Sequence, residues 1–266
     1  MLRCLLLLLA GCSAAAPPQD ADAPMLPDLG EADEPLSDSE RGAGPDAARL
    51  ARALLSSTDL LDHHVISILR HHWPLTPGSF ELNVLLAEAH ARHVDALDLK
   101  KSGALHASHR AAGRFHAGEA LRLHPDSGPA QYWRGVLLLH CADGEQSLGR
   151  LKEARAALET AEAAAPHVDD GGPARMRGRI YQESPFLVGG STPRALECYR
   201  RSLATAPDRL KTRLWLAETL IAASQPDPAR AELEAILKAP PQVRRPNEDT
   251  DVRRQAKALL DKLASK

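Results

Sequence analysis

Four helix-sized segments of this chain end in one register: a small residue, four positions on a second small or larger apolar residue, three further a third, and five further a proline. The sets are Gly113, Ala117, Ala120, Pro125; Ala154, Leu158, Ala161, Pro166; Ala195, Tyr199, Ser202, Pro207; and Ala229, Leu233, Ile236, Pro241. The prolines fall 41, 41 and 34 residues apart, so one supersecondary unit recurs. Such a unit cannot bury its apolar face alone; stacked copies share a continuous core and expose a long surface suited to holding another molecule. Hydrophobic residues make up 44% of the chain and aromatics only 3%, so that core must be Ala, Leu and Val between closely spaced helices. No stretch alternates in β-branched and aromatic residues as a half-buried strand would. The expected fold is all-α, an α-solenoid of irregular helical hairpins.

The first 46 residues stand apart from the repeats. Met1, Leu2 and Arg3 give a positive start, Cys4 to Ala10 form an apolar run, and Leu9-Ala10-Gly11-Cys12 closes it with small residues before a cysteine. The run is far shorter than the roughly 20 residues needed to span a bilayer. It resembles the lipobox of bacterial lipoproteins. That resemblance implies a signal peptide over 1–11, cleavage before Cys12, a diacylglyceryl thioether on its sulfur and acylation of the new amino terminus. An ordinary secretory signal is the alternative. Ser13 follows the cysteine in place of the Asp common in lipoproteins kept at the inner membrane, so the resemblance points to the outer membrane, facing the periplasm.

Residues 13–46 carry nine acidic side chains and one basic one, with little apolar periodicity. A segment of this kind cannot bury enough surface to offset its ordering entropy and is expected to be a disordered acidic tether. Removing its charge of −8 and the +1 of Arg3 from the −2 of the whole chain leaves about +5 on residues 47–266. That is a mild excess without a basic stripe or interleaved aromatics, which argues against nucleic acid as a partner.

Residues 47–266 are expected to form the solenoid. Leu61, Val65, Ile68 and Leu69 make an i, i+4, i+7, i+8 stripe that ends at Trp73-Pro74. Near the other end, Val252, Ala256, Leu259, Leu260 and Leu263 line one face of a last helix at about 250–264, whose other face carries Arg253, Arg254, Lys257 and Asp261. A solenoid needs a half-polar helix of this sort to close its exposed core.

The last repeat, residues 210–243, places Leu216, Ala217 and Leu220 on a first helix and Ala229, Leu233 and Pro241 on and after a second. This resembles the tetratricopeptide repeat, in which small residues let the paired helices approach closely. Earlier copies are stretched. From the small residue of the first helix to that of the second the spacing is 26 for Ala87 to Gly113, 19 for Gly135 to Ala154, 17 for Gly178 to Ala195 and 12 for Ala217 to Ala229. The extra residues all fall between the helices of a hairpin, so they are expected to emerge on one edge of the stack.

A narrower resemblance rests on Gly172-Pro173, Gly178, Tyr181, Ser184-Pro185, Gly189-Gly190-Ser191, Ala195 and Tyr199. This run is similar to the T components associated with TRAP-type solute transporters, periplasmic lipoproteins built of irregular tetratricopeptide hairpins. The resemblance implies a periplasmic solute-binding protein as partner and assembly as a homo-oligomer. It implies no cofactor and no enzyme activity. A scaffold for outer-membrane barrel or secretin assembly is the nearest alternative; a metal- or small-molecule-binding protein is a more distant one.

Read physically, Gly189, Gly190, Ser191 and Thr192 form a glycine-rich hairpin edge, with Thr192 as N-cap and Pro193 as first helical residue. Free N–H groups there could hold an anion, or the glycines simply allow the backbone to turn. Twelve histidines raise the question of a metal. His90 and His93, and His106 and His109, are spaced by three, but no third ligand or HExxH-type motif accompanies them, so scattered exposed or half-buried histidines are expected and no metal site is assigned. Cys141 and Cys198 could pair in an oxidising periplasm, but they lie on different hairpins and are expected as buried free thiols.

The groove positions implied by the repeat register are Glu81, Glu88 and Arg92; Tyr132, Val136 and Leu139; Arg175, Arg179 and Gln182; and Lys211, Leu214 and Glu218. As a set they predict a surface acidic at one end and basic in the middle, suited to an extended peptide or a partner helix.

Overall fold

The computed structural model describes residues 34–57, 62–76, 78–97, 103–140 and 147–265. Among them every regular element is helical: α1 (Asp38–Arg41), α2 (Ala47–Ser57), α3 (Asp62–His72), α4 (Phe80–Ala96), α5 (Gly103–Leu123), α6 (Gly128–Leu139), α7 (Ser147–Ala164), α8 (Gly172–Glu183), α9 (Thr192–Thr205), α10 (Leu210–Ala222), α11 (Pro226–Lys238) and α12 (Pro246–Ala264), with short 3-10 turns at 44–46, 73–75 and 186–188. The architecture is one of stacked helix pairs. Cys12 and Cys141 lie outside the described residues.

The repeating register is the core of the stack. Ala117, Ala120, Ala154, Leu158, Ala161, Ala195, Tyr199, Ser202, Ala229, Leu233 and Ile236 are all fully buried, and Gly113 is buried with them. α5, α7 and α9 stop two residues before Pro125, Pro166 and Pro207, and α11 stops three before Pro241. The ring of a proline disfavours helical backbone in the residue before it, so each proline sets the end of a helix.

The chain divides into two compact units, Met1–Leu55 with Leu61–Ala157, and Ser56–Leu60 with Leu158–Lys266. In the first, α4 packs on α3, α5 and α6. Leu55, Val65, Ile66, Leu69, Trp73, Leu82, Leu86 and Ala112 form its apolar centre. Much of the large first insertion lengthens the hairpin itself, α4 having 17 residues and α5 21, against 13 each for α10 and α11.

The histidine expectation is overturned in this unit: His72, His90, His106, His109 and His116 are buried. They serve as flat, hydrogen-bonding core groups. Asn83 Oδ1 accepts from Trp73 Nε1 at 3.0 Å and from His116 Nδ1 at 2.9 Å, while its amide donates to the Ser79 carbonyl at 2.9 Å. His90 and His109 join Nδ1 to Nδ1 at 2.9 Å, which requires opposite tautomers. Burial, reinforced by Arg70, holds the His116 imidazole down at about 3, and burial with its histidine neighbours lowers His90.

Residues 34–46 also depart from the expected tether. α1 is closed by a capping box between Ser37 and Glu40. The Glu34 carboxylate lies 3.2 Å from His63 Nδ1 and 3.1 Å from His64 Nδ1, and Glu40 lies 2.7 Å from His64 Nε2. His72 Nε2 donates to the Glu40 carbonyl at 2.7 Å. Bonds from the Ser37 hydroxyl and from His64 hold the Glu40 carboxyl down to about 2. A run of acid reads as solvated until the imidazoles of a distant helix are brought against it.

In the second unit α8 pairs with α9 and α10 with α11, α9 packs on α10, and α12 covers α10 and α11. α12 is the half-polar terminal helix, burying Val252 and Ala256; it begins at Pro246, a residue type preorganised for the first turn. A β-carbon on Gly178 would sit 2.7 Å from the Tyr199 ring, so α8 and α9 touch where α8 has no side chain. Gly178→Ala should therefore cost about 1–3 kcal/mol through overpacking. Gly118→Ala, on an exposed face of α5 with nothing within 4 Å, should instead stabilise by about 0.5–1 kcal/mol; urea midpoints measured on both variants check the pair. His90 and His116 give a pH dependence. Their folded-state affinity for protons is below that of the unfolded chain, so their contribution is complete above about pH 6.5 and falls as the pH drops. The urea midpoint should therefore be lower at pH 5 than at pH 7, with the His116 contribution still falling toward pH about 3.

Candidate functional site

The positions implied by the repeat register divide into those the fold exposes and those it encloses. Glu81 is exposed and pairs with Arg52 at 2.6 Å. Glu88 and Arg92 are half-buried and pair at 3.3 Å, and Arg92 also donates to the Leu55 carbonyl at 2.8 Å. Tyr132, Val136, Leu139 and Leu214 are buried core residues.

Arg175 is buried too, which removes it from the expected basic middle. Its guanidinium donates to the carbonyls of Asp169 and Asp170, both at 3.0 Å, and to the Asp169 carboxylate. The acid arrives from the turn before α8, where Asp169, Asp170 and Gly171 all have positive φ. A register count along one helix cannot see a partner delivered by a neighbouring turn. Arg245 meets the same turn, 2.7 Å from Asp169 and 3.3 Å from Asp170. Burial disfavours its charge, but the two aspartates and Glu248 more than offset that and raise its affinity for the proton.

The fold does bring Arg179, Gln182, Lys211 and Glu218 together, and adds Glu183, Trp215 and Glu248. Lys211, Trp215 and Glu218 recur at i, i+4 and i+7 on α10, so they share one face. α8 supplies Arg179, Gln182 and Glu183, and the first turn of α12 supplies Glu248. The Arg179 guanidinium lies 4.8 Å over the Trp215 ring and the Lys211 ammonium 5.5 Å from it. Arg179 pairs with Glu218 at 2.9 Å and with Glu183. Lys211 pairs with Glu248 at 3.2 Å, which Arg209 also grips from the buried side. Tyr199, from the core, donates its hydroxyl to Gln182 at 2.6 Å.

The electrostatics of this strip follow from half-burial. Desolvation raises the Glu183 carboxyl despite Arg179 beside it. Desolvation also opposes the charge on Glu248, but Lys211 and Arg209 overcome it and hold that carboxyl well below the usual range. Each cation is matched by an acid, so the face is an array of exchangeable ion pairs around an indole ring, not the basic patch expected. Such an array can offer substitute partners to charges on another chain. Trp215 and Glu248 carried no distinguishing signal in the sequence: one sits among apolar helix residues, the other beyond a proline-rich linker.

The glycine-rich edge is built differently from the expectation. Ser191, not Thr192, is the N-cap, its hydroxyl accepting from the Arg194 amide; Thr192 and Pro193 are the first two residues of α9. A β-carbon on Gly190 would sit 1.8 Å from the Ser184 carbonyl oxygen, and Gly189 has φ of 90°. Both glycines are explained by the turn. Cys198 is a buried free thiol, pushed up by burial. Among the described residues, no three His, Cys, Asp or Glu side chains are placed to hold a metal ion.

Glu248→Gln keeps the shape of the side chain and removes the carboxylate charge that Arg209 and Lys211 grip. It should cost about 3 kcal/mol in urea unfolding. Glu153→Gln, which breaks an exposed pair with Arg134, should change stability by less than about 0.5 kcal/mol.

Residues 190–247 match the family model of the tetratricopeptide repeat. No curated protein matches the chain. Among solved structures, the crystal structure of TTC0263, a thermophilic TPR protein in Thermus thermophilus, superposes with a TM-score of 0.58 at 21% sequence identity, covering 81% of this chain and 98% of that one. That likeness is one of fold, stacked tetratricopeptide-like helix pairs.

Proposed function

We propose that this tetratricopeptide-repeat protein is a lipid-anchored, periplasm-facing scaffold that binds partner proteins through the α8, α10 and α12 face. The observation that carries the reading is the strip of half-buried ion pairs around Trp215, whose α10 residues Lys211, Trp215 and Glu218 lie within the segment that matches the repeat family. Arg179 and Lys211 each offer a cation already stacked on an indole, and Glu183, Glu218 and Glu248 are the charges an incoming peptide would replace or bridge. Cys12 carries the anchor in this reading, and residues 13–33 link it to the first described residue. The protein acts by holding its partner, not by chemistry.

The finer form of the proposal is an accessory component of a TRAP-type solute transport system, partnered by a periplasmic solute-binding protein. It is motivated by the run from Gly172 to Tyr199, whose Ser184-Pro185 and Gly189-Gly190-Ser191 segments build one fixed turn. Purification from detergent-solubilised envelopes tests both levels. The wild-type chain should retain a stoichiometric protein partner, and Arg179→Glu with Lys211→Glu should weaken that retention at least about tenfold, as loss of close charge pairs at an interface does. Retention unaffected by the double change would sink the binding face. Recovery of a partner that is not a solute-binding protein would remove the transporter assignment alone. Loss of the acyl mass from the Cys12→Ser chain checks the anchor.

A further inference from the structure

The turn between α8 and α9 presents the two most exposed large apolar side chains among the described residues. Phe186 is 87% exposed and Leu187 94%, side by side in sequence. They are not on a slack loop. The N–H groups of Ser184, Val188, Gly189 and Gly190 donate to the carbonyls of Ile180, Pro185, Phe186 and Pro185, each at 3.0 Å, and that of Ser191 donates to Tyr181 at 2.9 Å. Gly190 is wedged against Ser184 so tightly that no other residue fits there without backbone movement. The pair is therefore held outward and cannot fold back to cover itself.

Two further features say what such a tip fits. From Ser184 to Pro193 no residue is charged, and the first charge beyond is Arg194, exposed at the base with its guanidinium 5.7 Å from the Tyr181 ring. Behind the two side chains, the donors of Val188, Gly189, Gly190 and Ser191 are bonded inside the turn, and Pro185 and Pro193 have none. Hydrocarbon offers no hydrogen-bond partners, so a segment that touches the boundary of a bilayer is favoured when it carries no charge and few unbonded donors. A pocket in a protein imposes neither condition, since it can supply partners for both.

We infer that the Phe186–Leu187 turn is a lipid-contacting tip, inserting its two side chains into the headgroup–acyl boundary of a bilayer while Arg194 stays at the phosphate level. The contact would be shallow and weak by itself. It would matter because an anchored chain meets its own membrane at high effective concentration; only this significance, not the insertion, rests on the lipid-anchor reading above.

The test uses the full chain bearing Cys12→Ser, so that no acyl group contributes, and vesicles of phosphatidylcholine and phosphatidylethanolamine. The chain with Phe186→Ser and Leu187→Ser should float with these vesicles at least about tenfold less well than its parent, with an unchanged circular dichroism spectrum because both side chains are exposed. A Leu187→Trp chain should be quenched by dibrominated phosphatidylcholine, whereas the parent, whose Trp73, Trp133 and Trp215 are buried, should not. Equal flotation of parent and double variant, or no quenching in the Leu187→Trp chain, overturns the proposal. If the double variant instead loses the partner protein while vesicle behaviour is unchanged, the tip belongs to a protein pocket. Failure of the Cys12 anchor in cells leaves these vesicle results unaffected, so the two readings fail separately.

Discussion

At Gly178 a β-carbon would lie 2.7 Å from the Tyr199 ring, and at Gly113 one would lie 2.9 Å from Leu137 and 3.0 Å from His90. Helices in this chain meet where a side chain is missing on one of them, and the rest of the structure follows from that closeness. It explains how a chain with so few aromatics can bury its repeat positions completely, because alanine and glycine let backbones approach until ordinary leucines fill the remaining space. It also couples the core to the surface. Tyr199 fills the space left by Gly178 and its hydroxyl reaches Gln182 at the edge of the Trp215 face, so the packing that sets the helix spacing also positions part of the charged strip.

The same closeness makes charge costly to enclose, and the second unit encloses a good deal of it. Arg175, Arg209 and Arg245 are held by Asp169, Asp170 and Glu248 in a network joining the turn before α8, the start of α10 and the start of α12. Replacing such pairs by apolar groups is often neutral for stability, whereas breaking one is not. A guanidinium needs its carboxylate at one place, whereas an apolar stripe packs at several.

How far the sequence could be read differs between the two units for a physical reason. In the second, repeat register located the helix ends and the buried small residues, because both depend on spacing along a single helix, whereas packing of α8 on α10 decided that Arg179 and Gln182 meet Lys211 and Glu218. Register assigned Arg175 to the groove because the aspartates that draw it inward come from a turn. In the first, polar residue types misled. Histidines read as exposed or half-buried and acidic residues as solvated chain, yet in the core His90 is bonded to His109 and His116 to Asn83, while Glu34 and Glu40 close on His63 and His64. A polar side chain has no burial of its own; its partner decides.

The sequence by itself determined the helical class, the recurring unit, the prolines that stop its helices and the small residues that let them meet, since each acts within about one turn of its own position. Tertiary structure alone decided which charges are neutralised and that Trp215 lies under two cations. Those outcomes depend on which groups from distant parts of the chain arrive within a few ångströms of one another. Hydrogen bonds and ion pairs act over just such distances, and no periodicity along the chain encodes them.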